Sequence, residues 1–312
     1  MMASPSDLPA AFPAPEGALH LGIDGGGSGS RFVLYAPRHR QHYTFAGPPL
    51  QGREQSAAAL AMAIKERIEQ VLPRSHRAAL RHIKAGIAGS SSGRDAITLE
   101  LRSYFPDACI VVLTDAEACF AAHYPTPETR KQAALLMCGT GSVLVYEQAG
   151  QLCYRGGYGP AAFEACAGRQ LGRDFLSALC LMHDTGEIPE AYNAFGCAPK
   201  RRAELLRLLY ETSGSPASFA PACLALAEKG DPACLRITET HLSAALQLFA
   251  GCAFRARIGL YGGIMNASFL RKQLANRLQK SFTDSYIFFA QTDVSRFLSE
   301  QTASASGFIK QQ

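Results

Sequence analysis

The 312-residue chain lacks tryptophan altogether and has no apolar run approaching the roughly 18–20 residues that cross a bilayer as a helix. A membrane-spanning helix is therefore excluded. No lysine or arginine precedes Arg31, so a secretory signal, which opens on positive charge, is not expected. The ten cysteines include no C-x-x-C pair, the spacing from which zinc and iron–sulfur sites are usually built. They read instead as small buried thiols in a reducing cytoplasm. There is no basic stripe with interleaved aromatics. The net charge of +5 suits anionic small ligands and gives no support to a nucleic-acid partner.

What is present is ordinary for a globular chain: 47% hydrophobic and 18% charged residues, enough for one or two sizeable cores. Residues 1–17 carry four prolines and read as a disordered lead-in. LGIDGGGSGSRFVLY (21–35) reads as strand, glycine turn, strand. Residues 42–46 give a third strand. A dinucleotide fingerprint is excluded, because its glycines open a helix. Residues 54–72 place Leu60, Ile64, Ile68 and Leu72 at four-residue spacing, an amphipathic helix stopped by Pro73. Strands follow at 83–89 and 109–116, with a helix at 94–104 between them and another at 116–123. QAALLMCGTGSVLVYEQ (132–148) repeats the strand–glycine turn–strand theme. Helices are expected over 165–182 and 200–212, and on both sides of Gly230-Asp231-Pro232. The chain closes with a strand, Gly262-Gly263 and a helix over 257–278, then a strand at 285–290.

The pattern predicts an α/β protein of two units, 18–116 and 117–312, each opening on a glycine turn. Bare backbone lets consecutive N–H groups point into a concavity that a Cβ would block. Two such nests could hold two ends of a polyphosphate. Gly262-Gly263, between strand and helix, would let a flat ring approach the chain. One glycine turn is usually only a hairpin, but the ordered set is more specific.

That set is GIDGGGSGS (22–30), AGIAG (85–89), LTDAEACFAA (113–122), CGTGSVLVY (138–146), RGGYG (155–159) and LYGGIMN (260–266). Over residues 20–280 it resembles the actin-like superfamily, within it the BadF/BadG/BcrA/BcrD-type ATPases and their N-acetylglucosamine and glucosamine kinase branch. The resemblance implies two ribonuclease-H-like domains around a nucleotide cleft, with the last strand or helix of the chain packing back on the first domain, ATP and Mg2+ as cofactors, and an amino sugar phosphorylated at its 6-hydroxyl. It implies Asp115 as the catalytic base, and Asp24 beside the metal through water. It gives Gly25, Gly26, Gly27 and Ser28, then Gly139, Thr140, Gly141 and Ser142, as the two phosphate loops, and Gly262 and Gly263 as the adenosine loop. Asp115 could alternatively cap the helix at 116–123, and Asp24 could simply stabilise its turn.

For the sugar, the resemblance implies Gly157, Tyr158, Gly159 and Glu164. Here the sequence departs from the family. The stretch that normally reads G-D-E-G-S is Phe163-Glu164-Ala165-Cys166-Ala167, with a glutamate where the sugar-gripping aspartate stands. The family's sugar-contacting asparagine falls near Leu50, with Gln51 beside it, and its small-residue C-terminal helix is poorly matched by 291–312. Three functions stay open: an amino-sugar kinase, a nucleotide-binding regulator or pseudokinase, and an ATPase that activates a partner enzyme. The third would need cluster-ligating cysteines and a G-Q-D-type second loop. A cytoplasmic protein is expected, and relatives are commonly homodimers.

Overall fold

The computed structural model describes residues 17–159, 161–210, 215–252 and 257–301. The proline-rich lead-in lies outside them, apart from Gly17. The chain divides into two compact units, Met1–Pro127 with Gln291–Gln312, and Glu128–Ala290.

The first unit holds β1 (Leu19–Gly26), β2 (Gly29–Ala36), β3 (Gln41–Gly47), α1 (Ala57–Val71), α2 (Arg74–Arg77), β4 (Leu80–Ile87), α3 (Arg94–Tyr104), β5 (Cys109–Thr114) and α4 (Asp115–His123). Its sheet runs β3-β2-β1-β4-β5. The first three strands are antiparallel, and β4 and β5 join parallel. Alternation in the sequence sorts the two faces. Leu19, Leu21 and Ile23 of β1, with Phe32, Leu34, Ile83, Ala85, Ile87, Ile110 and Val112, form one core with Leu60, Ile64 and Ile68 of α1 and Ile97 and Leu101 of α3. Ser56 caps α1 by accepting from the Ala59 N–H at 3.2 Å.

The intervening positions, His20, Gly22 and Asp24 of β1 and His82, Lys84 and Gly86 of β4, turn to the opposite face. His20, Asp24, His82 and Lys84 make this face polar. It is covered by α4 and by the last helix, α11 (Val294–Glu300). The helix lies so close to β1 that a Cβ on Gly22 would collide with the backbone of Ser295 and Ser299. Both serines are fully buried. Small residues at this contact face are the feature that the sequence of 291–312 shows only weakly. Serine does the work at i and i+4, and only seven residues are helical. At its far end, buried Lys84 donates from Nζ to the Gln301 carbonyl at 2.8 Å, and His42 meets Glu300 at 2.8 Å.

The short α5 (Pro127–Arg130) spans the division. The second unit then holds β6 (Ala133–Cys138), β7 (Ser142–Gln148), β8 (Gln151–Gly156), α6 (Gly168–Thr185), α7 (Arg202–Tyr210), α8 (Ala220–Glu228), α9 (Pro232–Leu248), β9 (Arg257–Tyr261), α10 (Ser268–Ser281) and β10 (Tyr286–Phe289). Its sheet order, β8-β7-β6-β9-β10, repeats the first sheet strand for strand and sense for sense. Two ribonuclease-H-like units are therefore present. Strand β8 escaped the sequence reading because QLCYRG sits at a sheet edge and never alternates cleanly. Ala134, Leu136 and Cys138 pack with Ile258, Leu260, Leu242, Leu270 and Leu274 in the main core of this unit.

None of the ten cysteines forms a disulfide. Six are buried, as small core thiols should be, while Cys109 is exposed and Cys153, Cys180 and Cys252 are half-buried. Among the described residues no helix is long and apolar enough to cross a membrane.

The α11–β1 contact gives a direct test. Gly22→Ala should destabilise the protein by about 2 kcal/mol or more, since overpacking against rigid backbone has no soft escape. Urea unfolding of the variant against wild type measures it; an unchanged midpoint would mean that α11 does not rest on β1.

Candidate functional site

In the first unit the site is built where β1, β4 and β5 end. Asp24 pairs in register with Arg31 on one side and Gly86 on the other. Gly86 has no side chain because α4 passes over it: a Cβ there would stand 2.5 Å from the Ala118 Cβ and 3.7 Å from the Asp115 Cα. The close approach at Gly86 thus brings Asp115 beside Asp24. Asp115 is the first residue of α4, neither the last of β5 nor the helix cap. Thr114 takes the capping role. Its Oγ1 accepts from the Glu117 N–H at 3.1 Å, and Glu117 returns the bond to the Thr114 N–H at 2.8 Å. Arg94 forks onto the buried Glu117 carboxylate at 2.9 and 2.7 Å.

Asp24 is the carboxyl its neighbours perturb. Burial first, then the charges of Asp115 and Asp293, push Asp24 up to about 6, with Arg31 opposing. Burial also raises Asp115, countered by its own N–H, the Ala116 N–H and Arg53. Asp293 was not anticipated from the sequence. It caps α11, accepting from Ser295 Oγ at 2.7 Å and the Arg296 N–H at 3.0 Å, and it meets Arg31 at 3.2 Å. Asp293-x-Ser295 ahead of a short apolar pattern was the available signal.

The first glycine turn follows directly. None of Gly25, Gly26 and Gly27 has a positive φ, so left-handed backbone does not explain them. Gly25 is needed for packing, its Cβ position lying 2.9 Å from the Leu50 Cβ. Ser28 and Gly27 at the tip are exposed. Leu50 is fully buried, so it cannot meet a ligand. Gln51 beside it is half-buried. Its Nε2 lies 3.3 Å from the Cβ position of Gly27, and its buried Oε1 has no hydrogen-bond partner.

In the second unit Gly157, Gly159, Glu164 and Gly262 gather around the β6–β7 turn of Gly139, Thr140, Gly141 and Ser142. Gly139 and Thr140 accept from the N–H groups of Gly168 and Arg169, which open α6, at 2.8 and 3.1 Å. Gly262 has φ +107° and presses on the backbone of Cys138 so closely that no Cβ fits. Glu164 is buried; its Oε1 accepts from the Gly159 N–H at 2.9 Å and its Oε2 lies 3.0 Å from the Cβ position of Gly141. Ser142 is buried at the start of β7, and Tyr158 is exposed between the left-handed Gly157 and Gly159. At Gly139 and Gly263 a Cβ would meet nothing within 4 Å, and neither φ is positive. At these two positions neither packing nor backbone conformation calls for glycine.

No protein-family model matches the chain, and no curated protein matches it. Solved structures do. A candidate N-acetylglucosamine kinase from Chromobacterium violaceum superposes with a TM-score of 0.68 at 19% identity, covering 91% of this chain and 98% of that one. A second from Porphyromonas gingivalis gives 0.62 at 16%, covering 88% and 95%. A ROK-family glucokinase from Streptomyces griseus, solved with glucose and AMPPNP, gives 0.53 at 15%, covering 88% and 95%. The fold is thus the two-domain actin-like fold of sugar kinases.

The Asp24 shift has a sign that can be checked. A carboxyl raised in the folded state costs stability as pH rises from its unfolded pKa through its folded one, near 6, and the cost is complete above that. Asp24→Asn should therefore stabilise the metal-free protein at pH 7.5 by up to about 2–3 kcal/mol, the gain fading to nothing near pH 4. Thermal unfolding across that range measures it, and a gain that does not vary with pH would remove the proposed crowding.

Proposed function

We propose that the chain is an ATP-dependent sugar kinase of the N-acetylglucosamine and glucosamine kinase branch, related to the BadF/BadG-type ATPases, and that it acts on the 6-hydroxyl of an amino sugar. The observation that carries this reading is the pairing of Asp24 and Asp115 across Gly86 beside a glycine turn, with a second glycine turn of matching topology in the other unit.

Asp115 is the base. A sugar hydroxyl is a weak nucleophile until its proton is taken, and a carboxyl raised by burial takes a proton more readily than an ordinary one. As the hydroxyl oxygen bonds to the γ-phosphorus, its proton passes to Asp115. The bond from that phosphorus to the β,γ-bridging oxygen breaks, and ADP leaves. Backbone N–H groups at 25–28 and 139–142, with the hydroxyls of Ser28 and Thr140, would bind phosphate oxygens. Ser142, being buried, would serve through its N–H. Gly263 and Gly139, bare without a packing reason, leave room for the nucleotide. Gly157, Tyr158, Gly159 and Glu164 would meet the sugar.

The residues fit magnesium. Asp24 offers hard oxygen donors and carries a like-charge strain that a divalent cation relieves. Among the described residues no three ligating side chains converge, which suits an ion held mainly by phosphate and water, with Asp24 in its outer shell. When bound, the ion neutralises charge on the β- and γ-phosphates.

The test is ADP release with ATP and magnesium against N-acetylglucosamine, glucosamine, N-acetylmannosamine, glucose and no sugar. Release that depends on an amino sugar, with a 6-phosphate product by mass spectrometry, is the expected outcome. Asp115→Asn should then cut kcat by about 10²- to 10⁴-fold while nucleotide binding persists. Flat traces with nucleotide bound would favour the regulator reading. Near-normal turnover by Asp115→Asn would remove Asp115 as the base.

A further inference from the structure

His241 lies in the middle of α9 and is fully buried. Its Nδ1 accepts from the Cys166 N–H at 2.9 Å, so that nitrogen carries no proton. Its Nε2 therefore carries the proton and donates to Asp174 Oδ2 on α6 at 2.9 Å. Asp174 is itself held by Gln170 Nε2 at 2.8 Å. The Phe163 ring lies 5.1 Å from the imidazole.

Cys166 is where the resemblance expects the second glycine of G-D-E-G-S, and its φ is +57°. A non-glycine residue pays for that conformation unless its surroundings impose it. Here they do, twice. The N–H is taken by the His241 ring, and Sγ donates to the His241 carbonyl at 3.5 Å. Aspartate, histidine and cysteine in contact suggest a nucleophilic thiol, but the geometry excludes it. The thiol turns to the carbonyl rather than to the ring, and burial pushes it up to about 12.

The segment so pinned is the one that matters to the candidate site. The Ala167 N–H closes on the Glu164 carbonyl at 3.2 Å, and Glu164 in turn fixes Gly159 and stands against Gly141.

We propose that His241 is a positioning residue: through its Nδ1 it holds Cys166 in the left-handed conformation and so sets Glu164 and the 157–167 segment for the acceptor. The activity readout rests on the kinase reading above, while the conformational readout does not.

The experiment compares wild type, His241→Leu, His241→Asn and the double variant His241→Leu/Cys166→Gly. Glycine adopts the left-handed conformation without help, so it should repair what the histidine was holding. In His241→Leu the acceptor KM should rise about tenfold or more, with kcat and the ATP KM within about threefold of wild type. The double variant should recover most of the loss, and His241→Asn, which keeps an acceptor and a donor, should fall between. Should His241→Leu not fold, His241→Asn with and without Cys166→Gly makes the same comparison. A uniform loss in kcat and both KM values, or no recovery with glycine, overturns the proposal. If wild type phosphorylates no sugar, the kinase reading fails and amide exchange decides this one. Faster exchange at Gly159 and Ala167 in the histidine variant, reversed by Cys166→Gly, upholds it; unchanged exchange overturns it.

Discussion

One carboxylate held against its charge, Asp24, organises the first unit. It lies on β1 beside Asp115 of α4 and near Asp293 at the end of the chain; burial and those two charges push Asp24 up, which costs folding free energy, while Asp293, despite its own burial, is held below the usual carboxylate range by its capping bonds, Arg31 and Arg296. The fold supports that cost through elements whose main task is placement. Gly86 admits α4, Gly22 admits α11, and the Thr114–Glu117 capping box with Arg94 fixes the turn that bears Asp115. Arg31 and Arg53 offset part of the charge. On the proposed reading, that cost is offset when a divalent cation arrives with the nucleotide.

The second unit solves a different problem with the same topology. Where the first unit gathers charge, this one gathers backbone. Its β6–β7 turn is fastened from α6 by two N–H groups, from β9 by the close passage of Gly262, and from the 157–167 segment by Glu164. What remains bare is Gly139 and Gly263. On the proposed reading, the first unit would supply the acid and metal-facing groups, and the second the backbone N–H groups of its glycine turn. Phosphoryl transfer draws mainly on those two things, positioning and charge compensation.

Most of this was legible because the informative residues are glycines and aspartates, whose reasons are local. The two glycine turns, the helix of Leu60, Ile64 and Ile68, and the short strand before Asp115 all follow from spacing. What was not legible depends on distant partners. Asp293 becomes part of the site only because α11 returns to β1, and Ser295 and Ser299 look like surface serines until Gly22 is seen beneath them. Strand β8 has no periodicity of its own and exists because β7 offers it an edge. Cys166 reads as the loss of a glycine, yet His241, 75 residues on, keeps the glycine conformation. The register near Leu50 needed Gly25 to show that Leu50 is core and that half-buried Gln51 is the neighbour of the turn.

The most direct test of the account is calorimetric titration of the protein with AMPPNP near pH 6, with and without magnesium, in buffers of different ionisation enthalpy. Asp24 titrates about there in the free protein. The account predicts binding that strengthens with magnesium and releases protons, because a cation beside Asp24 lowers its pKa, and it predicts that Asp24→Asn abolishes that proton release. Binding indifferent to magnesium, with no proton exchange in wild type, would contradict the claim that the carboxylates of the first unit are arranged around a metal–nucleotide complex.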